Sequence, residues 1–160
     1  MNDEQKYIFD TQGYLVIKNI LSKSLVEEIN VKLIDLENCK VDELPYGVCY
    51  GKERIDSELY LSNIAEADQI FIDLINIPEL IQIIKFIHAG NFRLNHSYSI
   101  HRWSKGYTYL HMGPIPVHPK AIYHFKGVEM FSLLSKIVFP ILNSKPEDGC
   151  FAVIPGSHKS

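Results

Sequence analysis

Residues 92–101 read FRLNHSYSIH and carry the clearest secondary-structure signal in the chain. One set of side chains alternates there with a more polar set: Phe92, Leu94, His96, Tyr98 and Ile100 alternate with Arg93, Asn95, Ser97, Ser99 and His101. A period of two places successive side chains on opposite faces of a strand. We therefore expect a strand over this stretch, with the Phe92 set facing a core.

The sequence after this stretch also favours strands. Residues 131–142 form a second β-prone run, in which Pro140 indicates an edge position or the strand's end. Residues 146–149, PEDG, have the composition of a turn. We expect a short strand over residues 150–154, stopped by Pro155 and Gly156.

The sequence before it favours helices. A short helix is predicted over Asp3–Thr11, with Tyr7 and Ile8 facing inward and Gly13 at its C-cap. The β-branched run Tyr14–Ile17 is predicted to be a brief strand.

A longer helix is predicted to begin at Ser22 or Ser24, either of which can cap it, and to run to about Asn38. Apolar residues recur along it at spacings of four, four and three, which is typical of one amphipathic face: Leu25, Ile29, Leu33 and Leu36. Residues 39–60 show no clear period and are predicted to be loop.

Two more helices follow, one from Ala67 and one with Pro78 in its first turn and Gly90 at its end. Helices therefore precede strands, which predicts an α+β fold with an antiparallel sandwich or barrel. We expect one domain over residues 1–160, helical to about residue 90 and β-rich from about residue 91.

Composition excludes several classes of protein. The 160 residues include 16 basic and 19 acidic side chains, for a formal net charge of −3, which disfavours nucleic-acid binding. No apolar run reaches the roughly 18 residues of a membrane span, and the N-terminus lacks the pattern of a signal peptide. Three widely spaced cysteines predict free thiols. We expect a soluble, cytoplasmic protein.

Seven histidines are many for this length, and six of them follow Gly90. Loops and strand ends tolerate inward polar groups, so the loop residues His111, His118 and His124 are candidates for a metal site of their own. Their spacing matches no common metal motif, so this signal is weak.

The C-terminal motifs resemble the phytanoyl-CoA dioxygenase family. A strand, an E-x-G turn and a strand that ends in P-G-S-H-K occur here in the family's order: residues 136–143, Glu147–Gly149 and residues 151–159. The family's opening and its middle motifs are also matched: Phe9, residues 13–19, Leu21–Ser22, Arg93–Ser97 and Leu110–Gly113.

The resemblance implies a double-stranded β-helix (jelly-roll) with N-terminal helices packed on it, and an oxygenase that uses Fe(II) and 2-oxoglutarate. Such sites bind iron through two histidines and one carboxylate. His111 matches the first histidine of the family's H-x-D pair. Asn95, Ser97 and Lys136 are candidates to line the cofactor pocket, and the implied substrate is a small or lipid-like organic molecule.

Gly113 stands where the family has its carboxylate. Three readings stay open. A halide can occupy the vacant position, as in related halogenases with H-x-A or H-x-G. Glu129 can replace the carboxylate. Alternatively, the site binds no catalytic iron.

The P-G-S-H-K histidine, His158, is not the distal iron ligand by this resemblance. The distal histidine and the arginine that pairs with 2-oxoglutarate come later in the family, and neither Arg93 nor Arg102 is in the arginine's position. We therefore expect a C-terminally truncated family member that is inactive by itself, with an open sheet edge and exposed apolar residues. The alternative is a non-catalytic β-sandwich module without iron. Substrate, reaction outcome and oligomeric state stay open.

Overall fold

The computed structural model describes residues 1–51, 57–104, 108–111 and 123–159. It has four α-helices in these residues: α1 Asp3–Gln12, α2 Lys23–Asn38, α3 Gln69–Ile75 and α4 Pro78–Ile87. Its five strands there are β1 Cys49–Tyr50, β2 Glu58–Ser62, β3 Tyr98–Arg102, β4 Tyr123–Lys126 and β5 Glu129–Ser132. The α+β class is thus confirmed. Two strands nevertheless precede residue 90, because β1 pairs with β2 and β2 pairs with β3. The loop expected over residues 39–60 contains β1 and the first three residues of β2.

The helix ends follow local sequence signals. Asn2 and Gln5 form a reciprocal capping box at the start of α1, and Gly13 ends it in the left-handed conformation at φ +81°. Ser22 caps α2, since its side chain accepts a hydrogen bond from the Leu25 amide. The expectation that Tyr7 faces inward is wrong: it is 71% exposed.

The larger hydrophobic core lies between α2, α3 and one face of a three-stranded antiparallel sheet ordered β1-β2-β3. Leu59 and Leu61 of β2 are buried against Ile29 of α2 and Phe71 of α3. The predicted apolar face of α2 is confirmed, because Ile29 and Leu36 are buried and Leu25 and Leu33 pack against the same cluster.

Strand β3 is shorter than the alternation predicts. Its partner β2 has five residues, so the ladder covers only Tyr98–Arg102, and residues 92–97 are not strand. The expectation that the Phe92 set faces a core is also wrong, because Phe92, Leu94 and Ile100 are exposed. The helices cover the opposite face of this sheet.

A second, smaller core forms around a two-stranded hairpin of β4 and β5. Tyr123 and Met130 are buried there with Ile83 and Ile87 of α4. The run Tyr14–Ile17 is not a strand, because no other strand pairs with it in the described part of the chain. Instead, its residues Leu15 and Ile17 pack against this second core.

The C-terminal segment is largely irregular. Of the β-prone run 131–142, only its first two residues belong to β5, and residues 150–154 form no strand. The turn at residues 146–149 is confirmed as a single 3₁₀ turn over Pro146–Asp148, ended by Gly149. The described residues form one three-stranded sheet and one two-stranded sheet, and these do not confirm a jelly-roll.

No helix within the described residues is both long and apolar enough to cross a membrane. The three cysteines are free.

Candidate functional site

One face of the three-stranded sheet carries polar, charged and aromatic side chains that no core cluster includes. Alternation along β2 turns Leu59 and Leu61 toward the helices, so their neighbours point to the other side. Directly paired residues on antiparallel strands share a face. We call the sheet face opposite Leu59 and Leu61 the helix-free face. Its residues are Glu58, Tyr60 and Ser62 of β2 and Tyr98, Ile100 and Arg102 of β3.

A salt bridge occupies one end of the helix-free face. Arg102 lies directly opposite Glu58 in the register. Its Nε and Nη2 donate to the Glu58 Oε2 at 3.0 and 2.5 Å, and Nη2 also donates to the Thr108 hydroxyl at 3.3 Å. The Glu58 and Arg102 side chains are only 11% and 18% exposed. The Arg102 charge is therefore balanced within the protein.

Aromatic rings occupy the other end. The Tyr98 ring stacks on Tyr60 with centroids 4.8 Å apart and on His96 at 5.3 Å. Tyr60 also lies against Gly51, where a Cβ atom would fall 2.2 Å from the Tyr60 ring. Burial, with a smaller contribution from Tyr98, raises the pKa of Tyr60 above its ordinary value, so this phenol stays neutral.

Lys136 is the predicted cofactor residue that reaches this face. Its Nζ donates to the Tyr98 hydroxyl at 2.5 Å and lies 5.2 Å from the centre of the Tyr98 ring. Ser97 does not reach it, because its hydroxyl accepts from the Ala65 amide beside the helices, at 3.1 Å. Asn95 is exposed and its side-chain oxygen lies 3.2 Å from His96 Nδ1. The structure thus brings Lys136 into contact with Tyr98. Of these two residues, the sequence predicted a functional role only for Lys136.

His111, the predicted metal ligand, is exposed at the end of the short described piece 108–111. Its Nδ1 lies 2.8 Å from the Tyr109 carbonyl oxygen, which can only accept. Nδ1 therefore carries a proton, and in the neutral ring the lone pair lies on Nε2. This is the common arrangement of a metal-binding histidine.

His111 belongs to no assembled metal site in the described part of the chain. No group of three His, Cys, Asp or Glu side chains that could hold a metal occurs among the residues with described positions. Within them, Glu129 lies on β5, and His124 of β4 stacks on Phe131 with centroids 5.0 Å apart. Gly113 and His118 lie outside the described residues.

His158 of the P-G-S-H-K motif contacts helix α1. Its Nε2 lies 3.0 Å from the Asp10 carbonyl oxygen, and its ring packs edge-on against Tyr123 at 4.6 Å. The Asp10 carboxylate accepts from the Tyr123 hydroxyl at 2.8 Å and pairs with Lys159 at 2.9 Å. We call Asp10, Gly13, Tyr123, His158 and Lys159 the C-terminal clasp.

Burial lowers the pKa of His158 below its ordinary value of 6.5, so the clasp contains a neutral imidazole. Burial also raises the pKa of Tyr123, with Asp10 adding to the effect. Burial alone acts to raise the pKa of Asp10, but the hydrogen bonds from Lys159 and Tyr123 outweigh it and lower that pKa. His158 therefore connects α1 to β4.

Over 82% of the chain, the fold is similar to that of HygX from Streptomyces hygroscopicus. A crystal structure of HygX with nickel and 2-oxoglutarate bound matches 82% of this chain with a TM-score of 0.65 and 19% identity. The chain shares its fold with HygX. A second HygX structure, with nickel, 2-oxoglutarate and hygromycin B bound, matches the same share of the chain with a TM-score of 0.58 and 20% identity.

At 19–20% identity, this likeness shows the fold alone. The chain spans about half the length of HygX, 51% in both structures. No protein-family model matches the chain, and no curated protein matches it either.

Proposed function

We propose that this chain belongs to a non-haem Fe(II)- and 2-oxoglutarate-dependent dioxygenase of the phytanoyl-CoA dioxygenase type. The fold likeness to HygX, which binds a metal and 2-oxoglutarate, is the observation that carries the proposal. The order of the sequence motifs and the orientation of His111 support it. The proposed substrate is a small or lipid-like organic molecule, as hygromycin B is a small molecule bound by HygX.

His111 fits the role of one iron ligand, because its Nδ1 proton is engaged by a carbonyl oxygen and its Nε2 can bind a metal. The described residues do not form a complete iron site, since they include no three-ligand group. Bound iron and 2-oxoglutarate supply the oxidising power in enzymes of this class.

We further propose that residues 1–160 form one domain and that the protein is located in the cytoplasm. The net charge of −3 supports a small-molecule partner over a nucleic acid. The proposed cofactor contacts are Asn95, Ser97 and Lys136, and of these Lys136 has the strongest support because it reaches the helix-free face.

A second candidate is a non-catalytic module that binds no iron. Gly113 in place of the family's carboxylate favours it, as does the lack of a three-ligand group in the described part of the chain. The two candidates differ in whether His111 binds a metal.

The test is anaerobic titration with Fe(II) and 2-oxoglutarate, followed by measurement of 2-oxoglutarate consumption in air. It is run on this chain and, because the chain spans about half of HygX, on the product of the complete reading frame. We expect His111→Ala to weaken metal binding by about tenfold or more. His124→Ala, the matched histidine control, should leave it unchanged.

If the complete product neither binds Fe(II) nor consumes 2-oxoglutarate, the non-catalytic candidate replaces the enzyme. If His124→Ala weakens metal binding and His111→Ala does not, the iron-ligand assignment is wrong and a separate histidine site is favoured.

A further inference from the structure

The C-terminal turn is attached to α1 at the carbonyl groups that the helix itself leaves unpaired. His158 Nε2 lies 3.0 Å from the Asp10 carbonyl oxygen, and the Gly156 amide donates to the Gln12 carbonyl at 2.9 Å. Both carbonyls belong to the last turn of α1, where no following helical amide can reach them. A carbonyl oxygen only accepts, so His158 Nε2 carries a proton.

The other ring nitrogen of His158 has no room for a partner. Nδ1 is buried and forms no hydrogen bond within the described residues. Gly13 lies directly beside it, because a Cβ atom on Gly13 would fall 2.4 Å from Nδ1. A neutral ring with its proton on Nε2 fits this position, since Nδ1 then has only a lone pair. A second proton on Nδ1 would be a buried donor without an acceptor, which is unfavourable.

The charged and titratable groups around His158 also favour the neutral ring. They are the Asp10 carboxylate on α1, the Tyr123 phenol on β4 and the Lys159 ammonium on the same turn. The Asp10 Oδ1 already accepts from Tyr123 at 2.8 Å and pairs with Lys159 at 2.9 Å. Asp10 and its hydrogen bond act to raise the pKa of His158, but burial, the largest effect, and the Lys159 charge outweigh them and lower it.

The C-terminal turn can leave α1 without disturbing either hydrophobic core. Ser157–Lys159 is a single 3₁₀ turn with no buried residue. Neither core cluster includes His158 or Lys159, and Tyr123 is the clasp residue that belongs to the smaller one. Segments held by a few hydrogen bonds open at a much lower free energy than a packed core.

We infer that the C-terminal clasp is a pH-sensitive switch that opens when His158 takes up a proton from solvent on Nδ1. The ring then leaves its place beside Gly13, and the turn Ser157–Lys159 separates from α1. Water replaces the turn at the Asp10 and Gln12 carbonyls. The rest of the chain stays folded, so the opening is local.

The test is hydrogen exchange, measured by NMR at the Gly156 amide between about pH 7.5 and pH 5.5. We expect its protection factor to fall by up to about tenfold per pH unit, because opening is coupled to the uptake of one proton. Gly156 should also be less protected than the amides of strand β2 at every pH. Equal protection of Gly156 and β2 would mean that the clasp opens only by global unfolding, which overturns the local switch.

His158→Gln tests the titrating group. The Gln side chain keeps an N–H donor for the Asp10 carbonyl but cannot be protonated, so Gly156 protection should become independent of pH. The matched control is His88→Gln, which removes the other histidine with a lowered pKa and should retain the pH dependence. Protection that does not change with pH in the wild type overturns the switch. An unchanged pH dependence in His158→Gln, or its loss in His88→Gln, overturns the assignment to His158.

A measurement on the wild type does not depend on how the variants fold. The ¹⁵N signals of the His158 ring should show the neutral Nε2–H form at about pH 7.5. They should change to those of the imidazolium in parallel with the loss of Gly156 protection. An imidazolium in a protein whose Gly156 amide stays protected would overturn the inference.

Discussion

Replacing Gly13 by alanine should disturb the C-terminal clasp and a helix end together. Gly13 ends α1 at φ +81°, and its amide donates to the Phe9 carbonyl at 2.8 Å. A Cβ atom at this position would lie 2.4 Å from His158 Nδ1 and 2.7 Å from its Cγ. The His158 ring therefore has to move if residue 13 has any side chain.

Two costs add in Gly13→Ala. A left-handed backbone costs about 1–2 kcal/mol for a residue with a Cβ. Displacing His158 also breaks its hydrogen bond to the Asp10 carbonyl, which contributes about 0.5–1.5 kcal/mol. The free energy of unfolding should thus fall by about 1.5–3.5 kcal/mol. Gly127→Ala is the matched control, because Gly127 has φ +65° and no atom within 4 Å of the added Cβ, so only the first cost applies.

The assay is urea denaturation followed by circular dichroism, with both substitutions made in the wild type and in His158→Ala. In the wild type, Gly13→Ala should cost more than Gly127→Ala. In His158→Ala, the two costs should become equal, because the ring that clashes is gone. Equal costs in the wild type would refute the clasp contact, as would a Gly13→Ala cost that His158→Ala does not reduce.

Three further outcomes are expected. Leu61 is fully buried, so Leu61→Ala should lower the free energy of unfolding by about 2–5 kcal/mol, and a loss below 1 kcal/mol in urea denaturation would contradict its place in the core. Ser22→Ala should lower the free energy of unfolding by about 1 kcal/mol and Ser24→Ala should lower it less, because Ser22 accepts a hydrogen bond from the Leu25 amide. The reverse order would contradict Ser22 as the cap. Burial lowers the pKa of His158 and of His88 below 6.5, so the unfolded chain binds more protons as the pH falls through 6.5. Thermal unfolding should therefore show stability falling as the pH drops below 6.5, less steeply in His158→Gln, and an equal slope in that variant would exclude His158 as a source.

Local sequence signals predicted the helices well. Gly13 ends α1 and a serine caps α2, since a cap depends on side chains within a few residues of the helix end. The choice between Ser22 and Ser24 needed the structure. The extent of β3 could not be predicted from its alternation, because a strand ends where its partner ends, and β2 pairs only as far as Tyr98.

In the candidate site, too, sequence motifs predicted some residues, whereas others became apparent only from tertiary contacts. His111 and Lys136 were found by sequence motifs. Tyr98 was not, because its role depends on contacts with Lys136, 38 residues away, and with Tyr60 across the sheet. Asp10 gave no signal at all, and its link to Tyr123 spans 113 residues.

By itself, the sequence determined the α+β class, the caps of its first two helices and the order of the motifs along the chain, because these depend on side-chain type and short-range spacing. The tertiary structure decided which face of the sheet the helices cover, that Glu58 balances Arg102, and that Lys136 meets Tyr98 without an acidic partner in the described chain. Strand register is a long-range property, and moving a strand by one residue turns every side chain to the other face. Register therefore decides which charged side chains lie opposite each other across the sheet, as Glu58 and Arg102 do.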